Sequence, residues 1–125
     1  MQTNRLEGME SRFQSLEIEL SDPAVIADQT KWRALSKEHA DMAETVMTYR
    51  RYKDTVKAAK EDRSILGDHT QEELHELAKE DLKERESEAK ELERKLHILL
   101  LPKDPNDEKN VILEISFRND ILLCN

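Results

Sequence analysis

The chain has 125 residues, 37% of them hydrophobic and 38% charged, and carries a formal net charge of −8. That length suits about one domain with a modest core, and the acidic excess excludes broad, sequence-blind attachment to nucleic acid, which needs clustered Lys and Arg to displace condensed counterions. With only two glycines and three prolines, turn chemistry is scarce, so the composition favours long helices with solvated faces over a compact sheet protein.

The single cysteine, Cys124, cannot form an internal disulfide, which suits a reducing compartment. No apolar run approaches the roughly 18 residues needed to span a bilayer. Met1-Gln2-Thr3-Asn4-Arg5 leads into no signal-type hydrophobic segment. A soluble, cytoplasmic chain without membrane attachment is expected.

In the first segment, Leu6, Met9, Phe13, Leu16 and Leu20 recur at steps of three and four with charged or polar residues between them, which predicts a helix over 3–20. Ser21-Asp22-Pro23 interrupts it, because proline disfavours helical geometry in the residue before it. Ala24-Val25-Ile26 then suits one short apolar turn. A second helix is predicted from Asp28 or Thr30 to about Ile65-Leu66, with Trp32, Leu35, His39, Met42, Val46, Tyr49 and Val56 on its inner stripe. Gly67 is expected to end it in the left-handed conformation.

Thr70 followed by Glu73 has the spacing of a reciprocal capping box and marks the start of a third helix. Its inner stripe is read as Leu74, Leu77, Ala78, Leu82, Ala89, Leu92, Leu96 and Leu99. Asp81 to Arg85, Glu86 to Lys90 and Glu91 to Lys95 are favourable i,i+4 pairs, while Asp81, Arg85 and Glu88 weaken the middle of that stripe. The fold expected is therefore all-α: an antiparallel helical bundle with a long coiled-coil-like pair, wet at mid-length. Each long helix is a rod of roughly 45 Å, and the first helix closes a three-helix bundle near one end.

Past Leu101, Pro102 and Pro105 forbid further helix, and alternation in Val111, Ile112, Leu113, Glu114 and Ile115 suits a strand. Asn119-Asp120 offers a turn for a short hairpin remnant with Ile121-Leu122-Leu123, whose exposed apolar edge invites self-association. The chain then divides into a helical domain over 1–101 and a junction with the start of a second domain over 102–125.

That junction, Leu100-Leu101-Pro102-Lys103-Asp104-Pro105-Asn106-Asp107-Glu108-Lys109-Asn110-Val111, closely resembles the segment that joins the helical first domain of class I bacterial-type peptide chain release factors to their central domain. The Pro-Lys-Asp-Pro-Asn-Asp wording is similar to the release factor 1 type and not to its sister factor. Leu20-Ser21-Asp22-Pro23, Leu35-Ser36-Lys37-Glu38 and Tyr49-Arg50-Arg51-Tyr52-Lys53 support the likeness, which covers about residues 5–115. Ser116 to Asn125 departs from the family's glycine-rich continuation, so the reading is a truncated factor.

The resemblance implies a part in translation termination, with contacts to the ribosome at the large-subunit stalk base and to the methyltransferase that modifies the release-factor glutamine. It implies no catalytic residue here. The family reads stop codons through a Pro-x-Thr-type tripeptide and hydrolyses peptidyl-tRNA through a Gly-Gly-Gln loop, and neither occurs in these 125 residues. The alternative reading is an independent helical interaction module or assembly adaptor.

The residues themselves offer little chemistry. Glu72-Glu73-Leu74-His75 has the Glu-x-x-His spacing of carboxylate-bridged metal bundles, but a metal pair needs a second copy. His75-Glu76-Leu77-Ala78-Lys79 starts like a zinc-protease helix and then places lysine where the second histidine belongs. His69 and His97 have no cysteine neighbours at ligand spacing, and His39 is read as a packed, hydrogen-bonded residue. Glycine is too scarce for an oxyanion turn or a phosphate-cradling loop. No catalytic, cofactor-binding or metal-binding residue is expected. The one basic stretch, Arg50-Arg51 with Lys53, Lys57 and Lys60, is read as a salt-laced solvent face.

Overall fold

A computed structural model describes residues 2–102 of the chain. Among the described residues there are four α-helices, α1 (Thr3–Leu20), α2 (Pro23–Ala27), α3 (Gln29–Leu66) and α4 (His75–Leu99), with a six-residue 3₁₀ stretch at His69–Leu74 between the last two. The all-α class and the boundaries of the first two long helices agree with the sequence reading. There is no strand among the described residues, and the predicted strand at Val111 to Ile115 and its hairpin lie outside them.

The breaks between helices follow from capping. Asp22 and Asp28 are extended residues whose carboxylates accept from Ala24 N at 3.0 Å and Lys31 N at 3.2 Å, which satisfies backbone donors at the starts of α2 and α3. Gly67 closes α3 in a right-handed conformation, φ −87°, not the left-handed one expected. The following turn therefore does not need a glycine's conformational freedom.

The predicted capping box is also replaced. The Asp68 carboxylate caps the 3₁₀ stretch, accepting from Thr70 N at 2.9 Å, and the chain leaves helical geometry at Gln71 before α4 begins at His75. Thr70 uses its hydroxyl to bond Asp68 at 2.6 Å, so it is not the start of a helix. An acidic residue two positions earlier won the competition for the same backbone donor.

α3 is the spine. α1 runs antiparallel along its first half, as the pairs Glu7 with Lys53, Glu10 with Arg50 and Arg12 with Glu38 show. α4 also runs antiparallel to it, with Glu44 facing Lys95, Tyr52 facing Glu93 and Arg63 facing Glu86. Thirty-eight residues make α3 a rod of about 57 Å, longer than either neighbour. Three layers meet only beside the middle of α3, where the start of α1 and the end of α4 lie together, and toward its end α3 continues with α4 alone as a two-helix arm.

The core sits where three layers meet. Leu6, Tyr49, Leu96 and Leu100 form one buried cluster, with Met9 and Tyr52 packed against it. Phe13 and Leu16 extend the buried face of α1. Complete burial of a side chain of this size contributes about 1.5–3 kcal/mol, so these few leucines and Phe13 dominate the stability of the bundle end. Arg5 Nη1 donates to the Leu100 carbonyl at 3.1 Å and ties the start of α1 to the end of α4.

The inner stripes differ in detail from those expected. Trp32, Val56, Leu74 and Leu77 are exposed, while Thr45, Thr48, Thr55 and Asp62 are buried on α3. Apolar periodicity missed the threonines because they are polar by composition, yet their small β-branched side chains fit between closely packed helices. Among the described residues, no helix is long and apolar enough to cross a membrane.

Candidate functional site

The polar side chains of the arm and of its junction with the bundle are the features that position chemistry. At the junction, Glu7 and Glu10 project from one face of α1 toward Tyr49, Arg50 and Lys53 of α3. Tyr49 Oη donates to Glu7 Oε2 at 2.5 Å, Arg50 Nε to Glu10 Oε2 at 2.8 Å, and Lys53 Nζ to Glu10 Oε1 at 2.6 Å. Hydrogen bonds from Lys53 and then Arg50 hold the Glu10 carboxyl below its usual range, and those from Tyr49 and then Lys53 do the same for Glu7. Burial, followed by the bond to Glu7, pushes the Tyr49 hydroxyl up to about 12.

This network consumes the middle of the basic stretch. Arg50 also lies over the Phe13 ring, 5.4 Å from its centroid, and Lys53 over Tyr49 at 4.7 Å. Arg51 turns to the other side and pairs with Glu88 of α4 at 2.6 Å. Lys57 and Lys60 are exposed and have no ion pair among the described residues. Three of the five cations are thus structural, and the stretch is a salt-laced face with two lysines left to solvent.

Mid-arm, Asp81, Glu84 and Glu88 converge on Arg85, at 3.5, 3.5 and 2.8 Å. The expected Asp81 to Arg85 pair forms. Glu86 and Glu91 pair instead with Arg63 across the arm and with Arg94, and Lys95 reaches Glu44 of α3 at 3.6 Å. Arg63 and Glu44 of α3 took Glu86 and Lys95 across the seam, whereas Glu91 found Arg94 one turn along α4 itself. The wet middle of the arm is present.

Nearer the tip, Asp62 of α3 is only 8% exposed, and among the described residues no N–H or hydroxyl donor reaches its Oδ2. The facing Asp81 carboxyl, followed by burial, pushes Asp62 up to about 6. The two carboxyls border a half-open groove of about 350 Å³ that is otherwise lined by Ile65, Leu74, Leu77 and Ala78. Neither Asp62 nor this groove was singled out from sequence. The only available signal was an aspartate falling on the inner side of a long helix.

The histidines are dispersed. The His39 ring stacks on Phe13, centroids 4.1 Å apart, with Nε2 3.4 Å from Glu17 Oε2. His75 Nε2 donates to the Asp68 carbonyl at 3.0 Å, which places the histidine of the Glu-x-x-His spacing in the turn at the tip. Among the described residues, no three His, Cys, Asp or Glu side chains are grouped so as to hold a metal ion.

The sequence as a whole decides the family. The PCRF domain family matches residues 9–117. The chain belongs to that family. This PCRF chain is similar to peptide chain release factor 1 of Exiguobacterium sp. (strain ATCC BAA-1283 / AT1b), 55% identical over 113 residues that make up 90% of the chain and 32% of the relative. It is also similar to peptide chain release factor 1 of Clostridium tetani, 44% identical over 90% of the chain and 32% of the relative. The release factor 1 of Clostridioides difficile is 49% identical over 89% of the chain and 31% of its own length. The PCRF chain thus spans about a third of the relatives it matches. No solved structure matches it. The α3–α4 seam and the tip groove lie within the PCRF match, and the three-layer core does so apart from Leu6 and its neighbours at the start of α1.

Proposed function

We propose that this chain supplies the helical docking domain of a peptide chain release factor 1 and positions such a factor on the ribosome during translation termination. The observation that carries the reading is identity of 44–55% to release factor 1 proteins over nine-tenths of the chain. In this reading residues 1–101 are the helical domain and 102–125 the junction and start of the next. Stop-codon reading and peptidyl-tRNA hydrolysis belong to parts of the factor other than these residues, in keeping with the lack of Gly-Gly-Gln and Pro-x-Thr here. The reading places the factor in the cytoplasm.

The form of the helices suits such a task. A stiff α3–α4 pair anchored at one end by Leu6, Leu96 and Leu100 carries its tip far from the junction with the rest of a factor. The resemblance supports the large-subunit stalk base as the arm's ribosomal contact and the release-factor glutamine methyltransferase as a second partner. The acidic balance of the chain favours protein surfaces over exposed RNA backbone.

A chimera tests this reading. Residues 1–115 of this chain are placed in a full-length release factor 1 in exchange for its own corresponding segment, and peptide release is measured on ribosomes programmed with stop and sense codons. Codon-dependent release within about tenfold of the parent factor is expected, while the present chain alone gives none. A folded chimera without release, or codon-dependent release by the chain alone, overturns the proposal.

A further inference from the structure

The geometry points to the groove at the tip of the arm as a docking site for a partner-protein segment that presents an arginine between apolar side chains. This inference does not depend on the assignment to translation termination. It rests on two observations about one place. The Asp62 carboxylate is more than nine-tenths buried yet, among the described residues, leaves Oδ2 unpartnered at the groove. Around it, Leu74 and Leu77 stay 38% and 70% exposed beside Ile65.

Burying a carboxylate without a donor is costly, and a second acid makes it more so. The charged groups that bear on Asp62 are Asp81 and Arg85 from α4 and Glu61 from α3 itself. Arg85 offsets the site only in part: its Nε, 3.5 Å from Asp81, has no hydrogen bond among the described residues, and its Nη1 is spent on Glu88. An arriving guanidinium offers paired donors to the two carboxyls, and its flanking apolar residues cover Leu74 and Leu77. Phosphate is the wrong partner, because it meets two carboxylates at the floor. A neutral apolar segment is the weaker partner, because burying Asp62 further obliges it to take up a proton and share it with Asp81.

The full chain is titrated with acetyl-Leu-Arg-Ala-Leu-amide and with the same peptide carrying citrulline, which keeps the shape of arginine without its charge. Binding is read from the methyl resonances of Ile65, Leu74 and Leu77. Saturable shifts with the arginine peptide are expected at millimolar concentration, with the citrulline peptide and the near-isosteric Asp62→Asn variant each about tenfold weaker. For the native chain, affinity falls about tenfold from pH 7 to pH 5 as Asp62 takes up its proton, and Asp62→Asn abolishes that dependence. No saturable shift, equal affinity for the citrulline peptide, or an unaltered response in Asp62→Asn overturns the inference. The citrulline comparison on the native chain decides the matter even if the variant fails to fold.

Discussion

Gly8 sits in the middle of α1 on the solvent side, and a Cβ built there meets nothing within 4 Å. Glycine in a helix interior loses more backbone freedom on folding than alanine does, so Gly8→Ala should stabilise the chain by about 0.5–1 kcal/mol, read as a raised midpoint in urea with an unchanged slope. Tyr49 and Tyr52 behave in the opposite sense under alkali. Burial, then hydrogen bonds to Glu7 and Glu93, raises both hydroxyls to about 12 in the folded chain. The folded state keeps these protons above pH 10, where the unfolded chain releases them. The stabilisation is therefore complete below pH 10 and is lost as pH rises toward 12. Tyrosinate absorbance and helical circular dichroism followed in one titration should change together in that window. Ionisation of both tyrosines near pH 10 with the helices intact contradicts this account.

The starts of α2, α3 and the 3₁₀ stretch are each set by an aspartate, Asp22, Asp28 and Asp68, that holds an otherwise free backbone donor. Asp68 makes the densest of these contacts, accepting from Thr70 N, Thr70 Oγ1 and Gln71 Nε2 while its own carbonyl holds His75. Hydrogen bonds from Thr70 and Gln71 lower its carboxyl to about 2, so the cap is fully formed above the ordinary aspartate range near 3.8 and is lost only as pH falls through about 2. Asp68→Ala should lower the midpoint of thermal unfolding at neutral pH. Thr70→Ala should cost less, because it leaves Thr70's backbone donor bonded to Asp68. An equal or larger loss from Thr70→Ala than from Asp68→Ala restores the capping-box description of this turn.

For the whole molecule, apolar burial is uneven along the spine. The bundle end holds Leu6, Leu16, Phe13, Val46 and Leu96, all essentially inaccessible, whereas the distal arm contributes only Ala59 and Ala78 to the buried apolar core. Salt-screened ion pairs, each worth little at an exposed surface, hold much of the rest of the arm. Amide hydrogen exchange should therefore protect residues 45–52 and 92–99 most strongly and leave 60–66 and 75–82 open by local unfolding. Leu96→Ala should destabilise the chain by about 2–5 kcal/mol, whereas Leu77→Ala should change it by less than about 0.5 kcal/mol. Uniform protection along α3 refutes the division into bundle and arm.

Local patterning alone determined the helical class, the ends of α1 and α3, the antiparallel pairing and the likeness carried by the 100–115 junction. Spacing of Leu6, Phe13 and Leu16, proline after Asp22 and the short connection at Gly67 act through neighbours in the chain, so they are legible without coordinates. Tertiary structure decided which apolar residues are covered. Leu77 has the period of a core residue, but α1 starts beside the middle of α3 and runs away from the tip, so among the described residues no third helix covers it. It also decided that Asp62 is buried against Asp81, because two carboxylates nineteen positions apart meet only once α3 and α4 have folded back on each other. Helical periodicity says which residues share a face, while helix length and register determine whether another face arrives to bury it.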